Sequence, residues 1–186
     1  MSTETLLPSP WKEFLTEIDA ALHEPLELPC IGGFVVVYFY GFVRTTGDID
    51  YYTAVPANLN LIEKAGEGSR LHQKYRICLH KVSVTNLPED YESRLTEMAK
   101  GQFKLLRLLV PDPYDCILSK LERNGDVDIT DAEYLFRSQK LDAHILRERY
   151  EKEFRPYIIG DMPMILWNPQ PMTDTTLNLW IEIFTS

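Results

Sequence analysis

Long apolar runs are missing from this 186-residue chain, and so are paired cysteines and an excess of positive charge. Its most apolar stretch, Phe34 to Phe39, is far short of the roughly 18–20 residues that a membrane-spanning helix needs, so no membrane partner is expected. Met1-Ser2-Thr3-Glu4 shows neither the basic region nor the apolar stretch of an export signal. Cys30, Cys78 and Cys116 are widely spaced with no C-x-x-C pair. They read as reduced, mostly buried thiols of a cytoplasmic protein rather than as disulfide staples or zinc ligands. His23, His72, His80 and His144 are scattered with no partner at metal spacing and read as structural or surface residues. No G-x-S-x-G or Ser/His/Asp order suggests a hydrolase. Lys and Arg number 19 against 28 Asp and Glu, a net charge of −9. Binding to a nucleic-acid backbone draws on displaced counterions, so an acidic surface argues against non-specific DNA binding. It is compatible with a small phosphorylated ligand held alongside a divalent cation.

With 45% hydrophobic and 25% charged residues, the chain has enough apolar material for a real core. Trp11, Phe14, Leu15, Ile18 and Leu22 repeat at three and four, predicting a helix that starts at Ser9-Pro10, turns Lys12, Glu13 and Asp19 outward, and stops at Pro25 and Pro29. The run Cys30 to Gly41 reads either as a buried Val-rich strand or as a buried helix opening at Gly32-Gly33. Strands are predicted over 49–53, 77–84 and 105–110, and helices over 58–65 and 89–99. From Asp112-Pro113 onward only helices are predicted: one holding Ile117, Leu118 and Leu121, a second starting at Thr130-Asp131, and a third over 141–154 with Ile145, Leu146, Tyr150 and Phe154 on one face. The expected organisation is an α/β or α+β core over 1–110, a helical segment packed on it over 111–160, and a tail over 161–186 ending in a short helix or strand.

The sharpest local feature is Gly32-Gly33, Gly41, and then Arg44-Thr45-Thr46-Gly47-Asp48-Ile49-Asp50. Carboxylates two apart on a strand point to one face. Their repulsion is relieved when a cation sits between them. Mg²⁺ suits such a site, since it takes one or two carboxylates and borrows further oxygens from substrate phosphates. Paired glycines let backbone N–H groups approach a phosphate. Tyr38, Phe39, Tyr40, Tyr51 and Tyr52 surround this segment; core packing is their default role, with Tyr51 or Tyr52 stacking on a base as the alternative.

The order GG-x₁₄-D-I-D, with Arg44-Thr45 ahead of the carboxylates, resembles the nucleotidyltransferase superfamily of the DNA polymerase β type in its minimal bacterial branch. The likeness continues in Val110-Pro111-Asp112-Pro113-Tyr114-Asp115, in Ser119-Lys120-Leu121-Glu122-Arg123, and in Asp128 with Asp131, and spans about residues 28 to 150. Many members of that branch are unassigned, and some resemble parts of toxin–antitoxin systems. The resemblance implies an α+β fold, a mixed sheet with flanking helices followed by a C-terminal helical segment, and it makes Gly33 to Tyr40 a helix. It implies transfer of a nucleotidyl group from a Mg–nucleoside triphosphate to a protein or RNA acceptor. Asp48 and Asp50 are then catalytic metal ligands, and Gly32, Gly33, Arg44, Thr45, Lys120 and Arg123 are nucleotide-binding. For Lys120 and Arg123, three apart on one helix face, an ion pair with Asp128 or Asp131 is the alternative; for Arg44 it is pairing with Asp48 or Asp50. Active members of the superfamily carry a third carboxylate on a later strand. Here Ser83 stands near that position, and Glu89 and Asp90 lie beyond Pro88. Two readings follow: a nucleotidyltransferase, or a catalytically degenerate interaction protein on the same fold, such as a toxin–antitoxin component.

Overall fold

The computed structural model describes residues 6–57, 60–82, 86–158 and 170–186. It comprises two compact units, Met1–Ser83 with Leu95–Pro111 and Val84–Arg94 with Asp112–Ser186.

In the first unit, helix α1 (Trp11–Ala20) buries Trp11, Phe14, Leu15 and Ile18, the stripe that the spacing predicts. Pro10 is the N-cap rather than the first helical residue, and no side chain caps this end. Asp19, expected on the outward face, is buried instead. Its carboxylate accepts from the backbone N–H groups of Lys104, Leu105 and Leu106 at 3.0, 2.7 and 2.7 Å. Three otherwise unsatisfied donors explain why a charge is tolerated there.

Strand β1 (Leu26–Ile31) follows, where the sequence suggests only proline stops. Leu26 to Pro29 pair in parallel with β5 (Leu106–Val110), while Cys30 and Ile31 pair antiparallel with β2 (Asp48–Tyr51). Pro29, which has no N–H to donate, thus falls where the strand exchanges one partner for another, and its carbonyl accepts from Tyr52 N–H at 3.1 Å.

Gly32–Tyr38 form helix α2, as the resemblance implies and against the strand propensity of Val35, Val36 and Val37. Packing outweighs propensity here: Phe34, Val35 and Val36 are fully buried, and the Trp11 ring lies 5.1 and 5.0 Å from those of Phe34 and Tyr38.

Helix α3 (Leu61–Ala65) falls within the predicted 58–65 but starts only after Asn60, whereas α4 (Arg70–Tyr75) is not anticipated; Ser69 Oγ caps α4 by accepting from His72 N–H at 3.1 Å. Strand β3 (Cys78–Lys81) then pairs in parallel with β2. The helix predicted over 89–99 is not formed. A 3₁₀ turn (Tyr91–Arg94), which belongs to the second unit, and strand β4 (Thr96–Met98) of the first take its place, and β4 pairs antiparallel with β5 from Thr96↔Val110 to Met98↔Leu108. The result is a mixed sheet in the order β3-β2-β1-β5-β4 with flanking helices, an α+β fold.

The second unit is helical. Asp112 caps α5 (Pro113–Leu118), the helix predicted to begin here, by accepting from Asp115 N–H at 2.9 Å. Helix α6 (Asp126–Ser138) begins ahead of Thr130, because the Asp128 carboxylate reaches back to Gly125 N–H at 3.1 Å and closes the first turn earlier. Helix α7 (Ala143–Arg149) runs on into a π turn (Tyr150–Phe154). Leu146, Tyr150 and Phe154 are buried, but Ile145, expected beside them, is 42% exposed. Helix α8 (Gln170–Thr185) packs on α6 and α7 through buried Leu177, Trp180 and Phe184, and Trp180 Nε1–H donates to Asn124 Oδ1 at 3.0 Å. That part of the tail therefore belongs to this unit. Asn58, Val84 and residues 161–169, on which parts of the predicted elements fall, lie outside the described residues. Among the described residues, no helix is long and apolar enough to cross a membrane.

Candidate functional site

The alternation of Asp48-Ile49-Asp50-Tyr51 sets the geometry of the site. Ile49 and Tyr51 are 0% and 2% exposed, so β2 is anchored by its apolar face. Asp48 and Asp50, only partly covered, share the other face. Tyr51 belongs to the core, and burial pushes its phenol pKa up. Thr46 Oγ donates to Asp48 Oδ1 at 3.3 Å.

Both glycines of the pair pack tightly against predicted site residues. Gly32 has φ +73°, and a Cβ there would come within 2.3 Å of Asp50 Oδ2. A Cβ on Gly33 would meet Arg44 Nη2 at 2.5 Å. A turn out of β1 and the close approach of a carboxylate and a guanidinium thus all require the absence of side chains. Arg44 Nη1–H also donates to the Thr45 carbonyl at 2.9 Å. Gly32, Gly33, Arg44, Thr45, Asp48 and Asp50 accordingly lie together at one end of the β1–β2 pair.

His80 joins them, and sequence spacing alone gives it no such neighbours. It is the register partner of Asp50 across the parallel β2–β3 pair, and its Nδ1 lies 2.8 Å from Asp50 Oδ1. One donor atom from each of Asp48, Asp50 and His80 falls within 4.8 Å of the other two. Two carboxylates and an imidazole at this spacing form a donor set that fits a divalent cation. The signal was present in part: His80 stands in a predicted strand following the one that carries Asp50, but register is not readable from sequence. An open cleft of about 570 Å³ borders the cluster, lined by Gly47, Asp48, Glu67, Cys78, Leu79, His80 and Lys81. Burial pushes the thiols of Cys30 and Cys78 up, and the neighbouring carboxylates add to the effect, so neither is a thiolate nucleophile at neutral pH. Ser83, near the position expected for a third carboxylate, lies outside the described residues.

Lys120 and Arg123 belong to the second unit, in the turn after α5 rather than on a helix face. Lys120 is 3% exposed; its Nζ donates to Asp131 Oδ2 at 2.8 Å and lies 3.5 Å from Asp128 Oδ1. Arg123 forms a two-pronged pair with Asp128, which holds the Asp128 carboxyl below its ordinary pKa despite its burial. Asp112 and Asp115 of the P-D-P-Y-D segment are likewise engaged. Asp115, 0% exposed, accepts from Arg94 Nε at 2.9 Å and from Arg149 Nη1 at 3.0 Å. The second half of the motif therefore builds an internal charge network.

No curated protein and no solved structure matches the chain. Residues 12–162 match the family described as "Nucleotidyltransferase of unknown function (DUF6036)", and the chain belongs to that family.

Proposed function

We propose that the chain binds a nucleoside triphosphate together with Mg²⁺ at Asp48 and Asp50 and transfers the nucleotidyl group to a hydroxyl of an RNA or protein acceptor. The observation that carries this reading is the shared face of Asp48 and Asp50, with Asp50 set against Gly32 and an open cleft beside them, in a chain of a nucleotidyltransferase family. Asp48 and Asp50 hold the cation. Once bound, it neutralises triphosphate charge and polarises phosphoryl oxygens. Arg44 brings a fixed positive charge to the edge of the same site, and the backbone around Gly32 and Gly33 lets phosphates approach without steric hindrance. Phosphoryl chemistry of this kind asks a protein chiefly for positioning and charge neutralisation, which these residues supply.

A second reading is favoured by one observation: the third member of the described cluster is a histidine, not a carboxylate. On that reading the chain holds the nucleotide without transferring it and acts through a protein partner, as a toxin–antitoxin component would. The test is incubation with each α-labelled triphosphate, Mg²⁺ and candidate RNA and protein acceptors. Label on an acceptor with release of pyrophosphate, lost in the Asp48→Asn/Asp50→Asn double variant, supports transfer. Metal-dependent nucleotide binding without transfer selects the second reading, and absence of both contradicts each.

A further inference from the structure

The pairing of Asp50 with His80 has two chemical meanings. At 2.8 Å, His80 Nδ1 and Asp50 Oδ1 stand at hydrogen-bonding distance, with Nδ1 the donor in the tautomer that carries its proton there. The same separation suits two adjacent ligands of one octahedral ion, which stand about 3 Å apart when each bond is about 2.1 Å. Asp48 supplies a further oxygen, within 4.8 Å of both. The His80 side chain is 63% exposed and borders the open cleft, so an ion can reach its ring nitrogen without rearrangement of the core. The main chain prescribes this meeting, since Asp50 and His80 are register partners on parallel strands.

A nitrogen donor alters what such a site selects. Mg²⁺ is a hard ion that takes oxygen ligands and keeps its waters, whereas imidazole suits first-row transition ions. Mn²⁺ accepts carboxylates, waters and phosphate oxygens as Mg²⁺ does and also takes an imidazole. We infer that His80 is the third protein ligand of the cation held by Asp48 and Asp50, and that it biases the site toward Mn²⁺ over Mg²⁺. The inference rests on the metal-binding part of the proposed function and goes beyond it in the ligand and in the ion preferred. Because β3 is held by backbone pairing and by buried Leu79, replacing the exposed imidazole leaves the fold intact.

The test uses the full chain and Mn²⁺ alone. Mn²⁺ binding is titrated by the loss of the free-ion EPR signal, Mg²⁺ binding is measured by competition, and pulsed EPR looks for nitrogen coupling to bound Mn²⁺. The wild type is expected to show imidazole nitrogen coupling and to bind Mn²⁺ more tightly than Mg²⁺. In His80→Asn the coupling vanishes and Mn²⁺ affinity falls about tenfold or more, a loss that even an outer partner of a metal ligand can produce, while Mg²⁺ affinity changes little. His80→Asp supplies oxygen instead and shifts the preference toward Mg²⁺. Mn²⁺ bound by the wild type without nitrogen coupling, and equally well by His80→Asn, overturns the inference and leaves the carboxylate site standing. If the wild type binds neither ion, the metal-binding reading falls with it.

Discussion

The Asp50 carboxylate rests against the bare Cα of Gly32, so closely that a methyl group on that carbon would lie 2.3 Å from Oδ2. Gly32 also has φ +73°, a conformation that costs an L-residue about 1–2 kcal/mol. Gly32→Ala therefore carries a backbone cost and also displaces the Asp50 carboxylate, a ligand in the proposed metal site. The expected outcome is a destabilisation of about 2 kcal/mol or more, since strain and clash add. Metal-dependent binding should be lost with it. Chemical denaturation and Mn²⁺ titration of the same sample check both.

Gly33→Ala should behave differently. Its added methyl meets the far end of the Arg44 side chain, which can swing aside, and Gly33 has no positive φ to maintain. Stability should change by less than about 1 kcal/mol. Nucleotide affinity should fall, and to a similar degree in Arg44→Ala, because both changes remove the guanidinium from its place beside the glycines. Equilibrium binding of a fluorescent triphosphate to the two variants tests this.

Asp19 ties α1 to the start of β5. Burial raises its pKa, but the three N–H bonds from Lys104, Leu105 and Leu106 prevail and leave it below the ordinary value. A group whose folded pKa is lowered contributes stability that is fully present above its unfolded pKa and is lost as pH falls through the folded value. Asp19→Asn should cost about 1–3 kcal/mol at neutral pH, since the amide sets an N–H against backbone donors. The gap between wild type and variant should narrow as the pH drops below about 4, the unfolded carboxylate range. Urea denaturation across pH 3 to 7 measures it.

The buried pair of Lys120 and Asp131 predicts an asymmetry between single and double variants. Lys120→Met or Asp131→Asn alone breaks the 2.8 Å pair while leaving one of its two charges buried, and should cost about 3–5 kcal/mol. Lys120→Met combined with Asp131→Leu removes both charges and should recover much of that loss. A double-mutant cycle in denaturant is the measurement.

What could be read in the sequence was what local pattern decides. The stripe of α1 and the alternation that sends Asp48 and Asp50 to one face follow from periods of 3.6 and 2, with Phe14 and Ile49 forced inward. What escaped depended on distant partners. Val35, Val36 and Val37 favour a strand until burial of Phe34, Val35 and Val36 makes α2 the better solution. Pro29 reads as a stop unless the exchange of strand partners is known. Thr96 to Met98 are too short to declare a strand and owe that state to β5. Asp19 is drawn inward by donors 85 to 87 residues away, and His80 reaches Asp50 across 30 residues of chain. Within the site, the carboxylates, glycines and Arg44 were legible as a motif; the histidine was visible only once the parallel register was known.

The proposed function stands on Asp48 and Asp50 binding a divalent cation together with a triphosphate. The most direct test is the thermal midpoint of the wild type and of the Asp48→Asn/Asp50→Asn variant, with and without Mg²⁺ and each of ATP, GTP, CTP and UTP. Ligand at about 100 times its Kd stabilises by about 2.7 kcal/mol. For a chain of this size that is a rise of about 5–10 °C. Such a rise is expected in the wild type with at least one triphosphate, dependent on the metal and absent in the variant. A rise of equal size in the variant, or none in the wild type with any triphosphate, would contradict it.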